Sequence, residues 1–187
     1  GSERIIEAAF AFARTHGRKK VTVVHKANVV RATDGMFLEI AKEVAARYPE
    51  IIFDEANVDA MTMWLLKNPL SYDVLVAPNL YGDIISDLCA QMVGGLGFGC
   101  SANIGDKLGV FEPSHGSAPK YAGLYKVNPI ATILTAKMML DWLGEKDMAT
   151  RLERATAAVI KQGLVRTYDM GGTNTTLEMG EAIAREL

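Results

Sequence analysis

Cysteine is scarce. Only Cys89 and Cys100 occur in 187 residues. Two are too few for a disulfide framework, and their spacing is not that of a metal site. They read as half-buried thiols kept in a reducing compartment, and the cytoplasm is the expected location. No apolar run approaches the roughly 20 residues that a bilayer span needs, so no membrane partner is expected. The opening Gly1-Ser2-Glu3-Arg4 has no signal-peptide pattern. Gly1-Ser2 in place of an initiator Met reads as the scar of a cleaved tag, which would put Glu3 inside a longer chain. Neither sign of charge dominates, since 20 Lys and Arg face 22 Asp and Glu for a formal net charge of −2. The basic face that nucleic acid demands is missing, and so is the acidic excess of a disordered tail. Internal repeats and low-complexity linkers are absent as well.

What is present is an ordinary packed composition, 49% hydrophobic and 22% charged. The length suits one comfortable domain or two small ones that share a core. Helical spacing of apolar residues predicts a helix over 3–16, stopped at His16-Gly17. The β-branched run Val21 to Val24 predicts a strand. A helix follows Thr33-Asp34-Gly35 as far as Tyr48-Pro49, then a short strand over 51–53. A helix over 58–66 and a strand over 73–77, closed by Pro78-Asn79, come next. Asp83 to Val93 reads as helical, and the glycine-rich 94–99 breaks it and is the best candidate for a hinge or domain boundary. Val110-Phe111 has strand character. Helices are expected from Asn128-Pro129 to Gly144, over 147–162, and from Thr175 to Leu187. Strands alternating with helices argue for an α/β fold. The methionines fall mainly on helix faces and are expected to fill core.

Several residues could carry chemistry. Asp83 and Asp87, at i and i+4 after a strand, stack two carboxylates on one helix face, where open α/β sheets place ligands. Oxygen-only ligation suits Mg²⁺ or Mn²⁺. Taken alone, the pair is more commonly an acidic helix start stabilised by the macrodipole. Lys26, at the end of an apolar strand between His25 and Asn28, has the place of a proton carrier; an exposed loop lysine is the commoner case. Asp59 could supply a third oxygen ligand or be an ordinary first-turn carboxylate. Gly95-Leu96-Gly97-Phe98-Gly99 is not a dinucleotide fingerprint, because it follows a helix and does not open one; a flexible joint or close backbone packing fits better. Ser114 to Pro119 offers backbone N–H groups in a tight turn that can hold phosphate or ribose oxygens, and Lys120 beside Tyr121 could grip a further phosphate.

Six ordered blocks make the chain recognisable: Val23-Val24-His25-Lys26-Ala27-Asn28-Val29, Asn57 to Met61, Asn79-Leu80-Tyr81-Gly82-Asp83-Ile84-Ile85-Ser86-Asp87, Gly94 to Gly97, Ser101 to Asp106, and Phe111 to Pro119. Together they resemble the β-decarboxylating dehydrogenases, the family of isocitrate, homoisocitrate and isopropylmalate dehydrogenases, and only the C-terminal half or slightly more of such an enzyme. The resemblance implies a partial isocitrate/isopropylmalate dehydrogenase-like fold of two lobes, with parallel and mixed sheet and helices. Residues 1–93 would be part of the smaller, dimer-forming lobe and 94–187 the end of the larger, cofactor-binding lobe. It implies metal-dependent oxidative decarboxylation of isocitrate to 2-oxoglutarate, a step of the tricarboxylic acid cycle. The homoisocitrate and isopropylmalate reactions with NAD are the alternative, and a non-catalytic nucleotide-binding or dimerisation fragment a third reading. Asp83 and Asp87 would bind the metal of one subunit. Asp59 would reach the metal of the partner subunit in a homodimer, and Lys26 would carry a proton in the partner's site. Asn28 would sit near the nicotinamide and substrate. The remaining cofactor residues would be His115, Gly116, Ser117, Ala118, Lys120, Tyr121, Val127, Asn128, Tyr168 and Asp169. Lys120-Tyr121 and Tyr168 resemble the NADP-dependent members, since a cation and phenol hydroxyls can contact a ribose 2′-phosphate. The family's further arginine is absent, and Gly171-Gly172-Thr173 stands there, as in NAD-linked members. NADP is the expected cofactor. The substrate-reading serine, asparagine and arginines of the family, and its catalytic tyrosine, fall before residue 1.

Overall fold

The strand β1 (Lys20–His25) organises the first half of the molecule, because its last five residues are all buried. A strand buried on both faces must be covered by helices on both sides, which is the habit of parallel sheets. The computed structural model, which describes residues 1–187, shows this arrangement. β1 pairs in parallel with β2 (Ile52–Asn57) on one side and β3 (Val74–Val76) on the other, giving the order β2-β1-β3. Val21 lies opposite both Phe53 and Val74. The side chains of β1 alternate between two cores. Val21 and Val23 meet Ile6, Phe10 and Ala13 of α1 (Ser2–Thr15) and Phe37, Ala41 and Val44 of α2 (Thr33–Ala45). Val24 points the other way, to Met61 and Leu65 of α3 (Val58–Lys67) and Ile85 of α4 (Asn79–Met92). Asp34, in the first turn of α2, is buried with only 6% of its surface exposed.

The chain divides into two compact units, Gly1–Cys89 and Ala90–Leu187. The division falls inside the continuous helix α4, ahead of the 93/94 boundary and of the glycine-rich stretch expected to act as a hinge. The second unit contains the antiparallel hairpin β4 (Cys100–Ile104) and β5 (Gly109–Pro113). Three helices follow, α5 (Ile130–Leu143), α6 (Lys146–Gln162) and α7 (Thr176–Arg185). Their core joins Ile130 to Ala155, Val159, Met179 and Ile183. α7 opens with a capping box, in which the Thr175 hydroxyl accepts the Glu178 N–H and the Glu178 carboxylate accepts the Thr175 N–H.

The structure departs from the sequence pattern at three points: β4 lies where no strand is expected; α4 begins four residues before Asp83, at Asn79; and the methionines are not mainly core. Met61 and Met179 are fully buried, whereas Met36, Met63 and Met148 are half exposed, because they lie on helix faces turned away from the three apolar clusters.

Phe10, with none of its surface exposed, sits at the centre of the first core. Phe10→Ala is expected to cost about 3–5 kcal/mol, read as a lower urea midpoint. Leu164→Ala, at a residue 81% exposed, should stay within about 0.5 kcal/mol.

Candidate functional site

The carboxyl ends of β1 and β2 gather the polar chemistry of the first unit. Lys26 follows β1 directly, and its Nζ lies 2.5 Å from Asp59 Oδ1 in the first turn of α3. That hydrogen bond, more than any other influence, holds the Asp59 carboxyl below the usual range. His25 is buried, and its Nδ1 accepts the Ala27 N–H at 3.1 Å. In the neutral ring this puts the proton on Nε2. That Nε2 and Asn57 Oδ1 are buried without partners, and the two residues face each other in the β1–β2 register. Orphaned polar atoms at the carboxyl end of a parallel sheet mark the place where such sheets receive ligands. Asn28 is exposed next to them.

Asp83 and Asp87 are both exposed, one helical turn apart on α4. Because α4 starts at Asn79, neither lies in its first turn. The macrodipole, whose effect fades within that turn, therefore does not account for them. Two hard carboxylates one turn apart fit Mg²⁺ or Mn²⁺. They are an incomplete set, since the chain holds no group of three or more His, Cys, Asp or Glu that could bind a metal ion. Asp59 does not join the pair within one chain; Lys26 occupies it.

The second unit contains a cavity of about 550 Å³. Of the expected cofactor residues, His115, Gly116, Ser117, Ala118, Tyr121, Val127, Asn128, Tyr168 and Asp169 all line it. Gln91 and Gly94 to Gly97 also line it and were not foreseen. The glycine stretch is thus a wall of the cavity. A Cβ on Gly97 would lie 2.5 Å from Asp169 Oδ2 and 3.0 Å from the Asn128 side chain, so at Gly97 the run is closely packed. Asn128 is buried, with its Oδ1 capping the Ile130 N–H at 3.0 Å and its Nδ2 donating to Asp169 Oδ2 at 3.0 Å. Both polar atoms of its side chain are engaged within the protein. Ala118, at the end of the 115–118 turn, and Tyr125, seven residues on, have φ of 45° and 47°, a region L-residues with a Cβ rarely adopt.

Lys120 does not line the cavity but stands over a lining residue, with its Nζ 5.0 Å from the Tyr121 ring. Lys126 opens the block Lys126-Val127-Asn128-Pro129, which like Lys120-Tyr121 resembles the NADP-dependent members, though it is not among the expected cofactor residues. It brings a second cation to 5.8 Å from the Tyr121 ring and 4.9 Å from that of Tyr168. The two rings lie 5.8 Å apart. Two cations thus stand around two phenols, donor types that suit an anion. The segment Gly171-Gly172-Thr173 holds no arginine, and a Cβ on Gly172 would run into the carbonyl oxygen of Arg166.

The profile of the isocitrate/isopropylmalate dehydrogenase family matches residues 1–183. The chain belongs to that family. Over all 187 residues it is 50% identical to an isocitrate dehydrogenase [NAD] catalytic subunit, mitochondrial, of Arabidopsis thaliana, of which it covers 50%. It is 49% identical over 186 residues to the isocitrate/homoisocitrate dehydrogenase of Thermus thermophilus, covering 55% of that protein. Its fold superposes on the crystal structure of isocitrate dehydrogenase from Methylococcus capsulatus with a TM-score of 0.96 at 49% identity, covering 99% of this chain and 55% of that one. The α/β fold is therefore that of isocitrate/isopropylmalate dehydrogenases, and the chain spans about half the length of these relatives.

The hydrogen bond from Tyr168, followed by the charge of Lys120, lowers the pKa of Tyr121, while the same bond raises that of Tyr168. Ultraviolet titration should resolve one phenol that ionises below the ordinary tyrosine range. In Tyr168→Phe that ionisation should move up, because the donor favouring the phenolate is gone. An unmoved titration would contradict this geometry.

Proposed function

We propose that the protein of which this chain forms part oxidises and decarboxylates isocitrate to 2-oxoglutarate with NADP as hydride acceptor, using Mg²⁺ or Mn²⁺. The observation that carries this reading is the arrangement at the sheet end. Lys26 and Asp59 are paired there, and the carboxylates Asp83 and Asp87 stand without a third ligand. A 2-hydroxy acid that loses the carboxyl group next to its oxidised carbon needs a proton carrier and a hard cation site, and these residue types provide both. When bound, the divalent cation would polarise the hydroxyl and stabilise negative charge on the resulting oxygen. Asp83 and Asp87 would hold it from one subunit and Asp59 from the other. Lys26 would take up and return the proton at Nζ in the partner's site, with Asp59 orienting its ammonium form. The exposed apolar residues Met63 and Leu66 on α3, and Leu80 and Ile84 on α4, support a second subunit packing on these helices.

In the second unit the cavity would take the adenosine end of the dinucleotide. Its turn at 115–118 would face phosphate and ribose oxygens, and the Lys120–Tyr121–Tyr168 group the 2′-phosphate. NAD is the second reading. It is favoured by Gly171-Gly172-Thr173, which holds no arginine, and by relatives named for NAD. Homoisocitrate and isopropylmalate are the competing substrates, and the relative named for both isocitrate and homoisocitrate keeps the first of them in view. The two free thiols, Cys89 and Cys100, suit a reducing compartment such as the cytoplasm.

Steady-state kinetics of the full-length protein with the three acids and both cofactors tests the reading. Isocitrate with NADP and Mn²⁺ should give the highest kcat/KM, and residues 1–187 alone should show no turnover. The double exchange Lys120→Asp, Tyr121→Ile should move preference from NADP towards NAD by about 10-fold or more, the loss of a charge-assisted phosphate contact. An unchanged ratio of kcat/KM would refute the role given to this pair.

A further inference from the structure

Asp34 is a buried carboxylate that the reaction does not use directly. It lies in the first turn of α2 yet does not cap that helix, whose N-terminus has no side-chain cap. Its Oδ2 reaches back eight residues to accept the Lys26 N–H at 2.7 Å. Its Oδ1 takes the Thr33 hydroxyl at 3.4 Å, and the Tyr81 phenol faces it from α4. Burial first, and then this carboxylate, raise the pKa of Tyr81. A buried carboxylate is costly unless hydrogen bonds compensate it, so its retention calls for a reason beyond an ordinary helix start.

The reason lies in a closed ring of hydrogen bonds, which the Asp34 carboxylate completes. The Lys26 N–H donates to Asp34, the Asp34 N–H to the Val30 carbonyl at 3.1 Å, and the Val30 N–H to the Lys26 carbonyl at 2.8 Å. The Val29 N–H adds a second bond to that carbonyl at 2.9 Å. The next N–H, that of Ala27, is held by His25 Nδ1. Both polar groups of the Lys26 main chain are thus fixed. A lysine side chain has four rotatable bonds, so a defined ammonium position needs a fixed root as well as the Asp59 contact at its tip.

We propose that Asp34 is the positioning residue for Lys26: its buried carboxylate fixes the peptide from which the Lys26 ammonium reaches Asp59. The consequence for turnover rests on Lys26 being the proton carrier proposed above; the consequence for the Lys26 main chain does not.

The test uses the full-length protein with Asp34→Ala, which removes the acceptor, and Asp34→Asn, whose amide oxygen can still accept the Lys26 N–H. Asp34→Ala should lower kcat by about 10- to 100-fold with the dinucleotide KM within about twofold, and Asp34→Asn should recover most of kcat. The Lys26 amide should exchange slowly with deuterium in the parent and in Asp34→Asn, and fast in Asp34→Ala. Should Asp34→Ala not fold, Asp34→Ser, which is too short to reach the Lys26 N–H, takes its place in both measurements. A protected Lys26 amide in the folded Ala or Ser variant overturns the proposal, as does an unchanged kcat there beside an active parent. If the parent turns over none of the three acids, the functional reading fails, and amide exchange at Lys26 still decides the role of Asp34.

Discussion

The constraint on which the first unit depends is that β1 has no free side. Its edges are taken by parallel β2 and β3, and its faces by α1 with α2 and by α3 with α4. Polar side chains leave such a strand at its ends, and in a parallel sheet ligand chemistry collects at the carboxyl end. His25 and Lys26 stand there, and the turn after them is tied down by Asp34. β2 ends at the same level and leads through Asn57 into α3, which brings Asp59 to Lys26. The chemistry of this half is therefore a product of strand burial: an apolar run that must stop, and three charged residues collected where it does.

The second unit surrounds a cavity with main chain and a few polar side chains, and sets cations beside it. The walls of its cavity come from the glycine run at 94–97, the turn at 115–118 and the short segment around Tyr168. Each wall is held by a specific contact. Gly97 admits Asp169 and Asn128 because it has no Cβ, Asn128 is fixed by the first N–H of α5, and α7 is tied to the loop before α5 through Thr176, whose hydroxyl donates to the Val127 carbonyl. Cations from two points of one loop, Lys120 and Lys126, then meet over the two tyrosines. Near Tyr168, the main chain of Arg166 fills the space that a side chain at Gly172 would need.

Much of this could be read from residue order. The apolar run before Lys26, the i, i+4 spacing of Asp83 and Asp87, and the polar turn with Lys120-Tyr121 are local patterns, and local patterns are visible without a fold. Other features depended on distance along the chain. Pro78-Asn79 read as the end of a strand, yet Asn79 is the first residue of α4, and that shift takes the two aspartates out of the first turn. β4 was hidden because its strand character follows directly on a glycine run and its side chains are only partly covered. Asp34 looked like any acid at a helix start; its bond to Lys26 joins residues on different elements. Lys126 needed Tyr168, 42 positions later, to become part of a site.

The central claim is that one chain carries two half-sites, Asp83 with Asp87 and Lys26 with Asp59, each completed by a second copy. Subunit complementation in the full-length protein tests it most directly. Asp59→Asn and Asp83→Asn should each be inactive alone. Mixed, unfolded and refolded together, they should regain about a quarter of parent turnover, because half of the dimers would be mixed and each of those would hold one intact site of two. No recovery in a preparation where mass spectrometry shows mixed dimers would contradict the account.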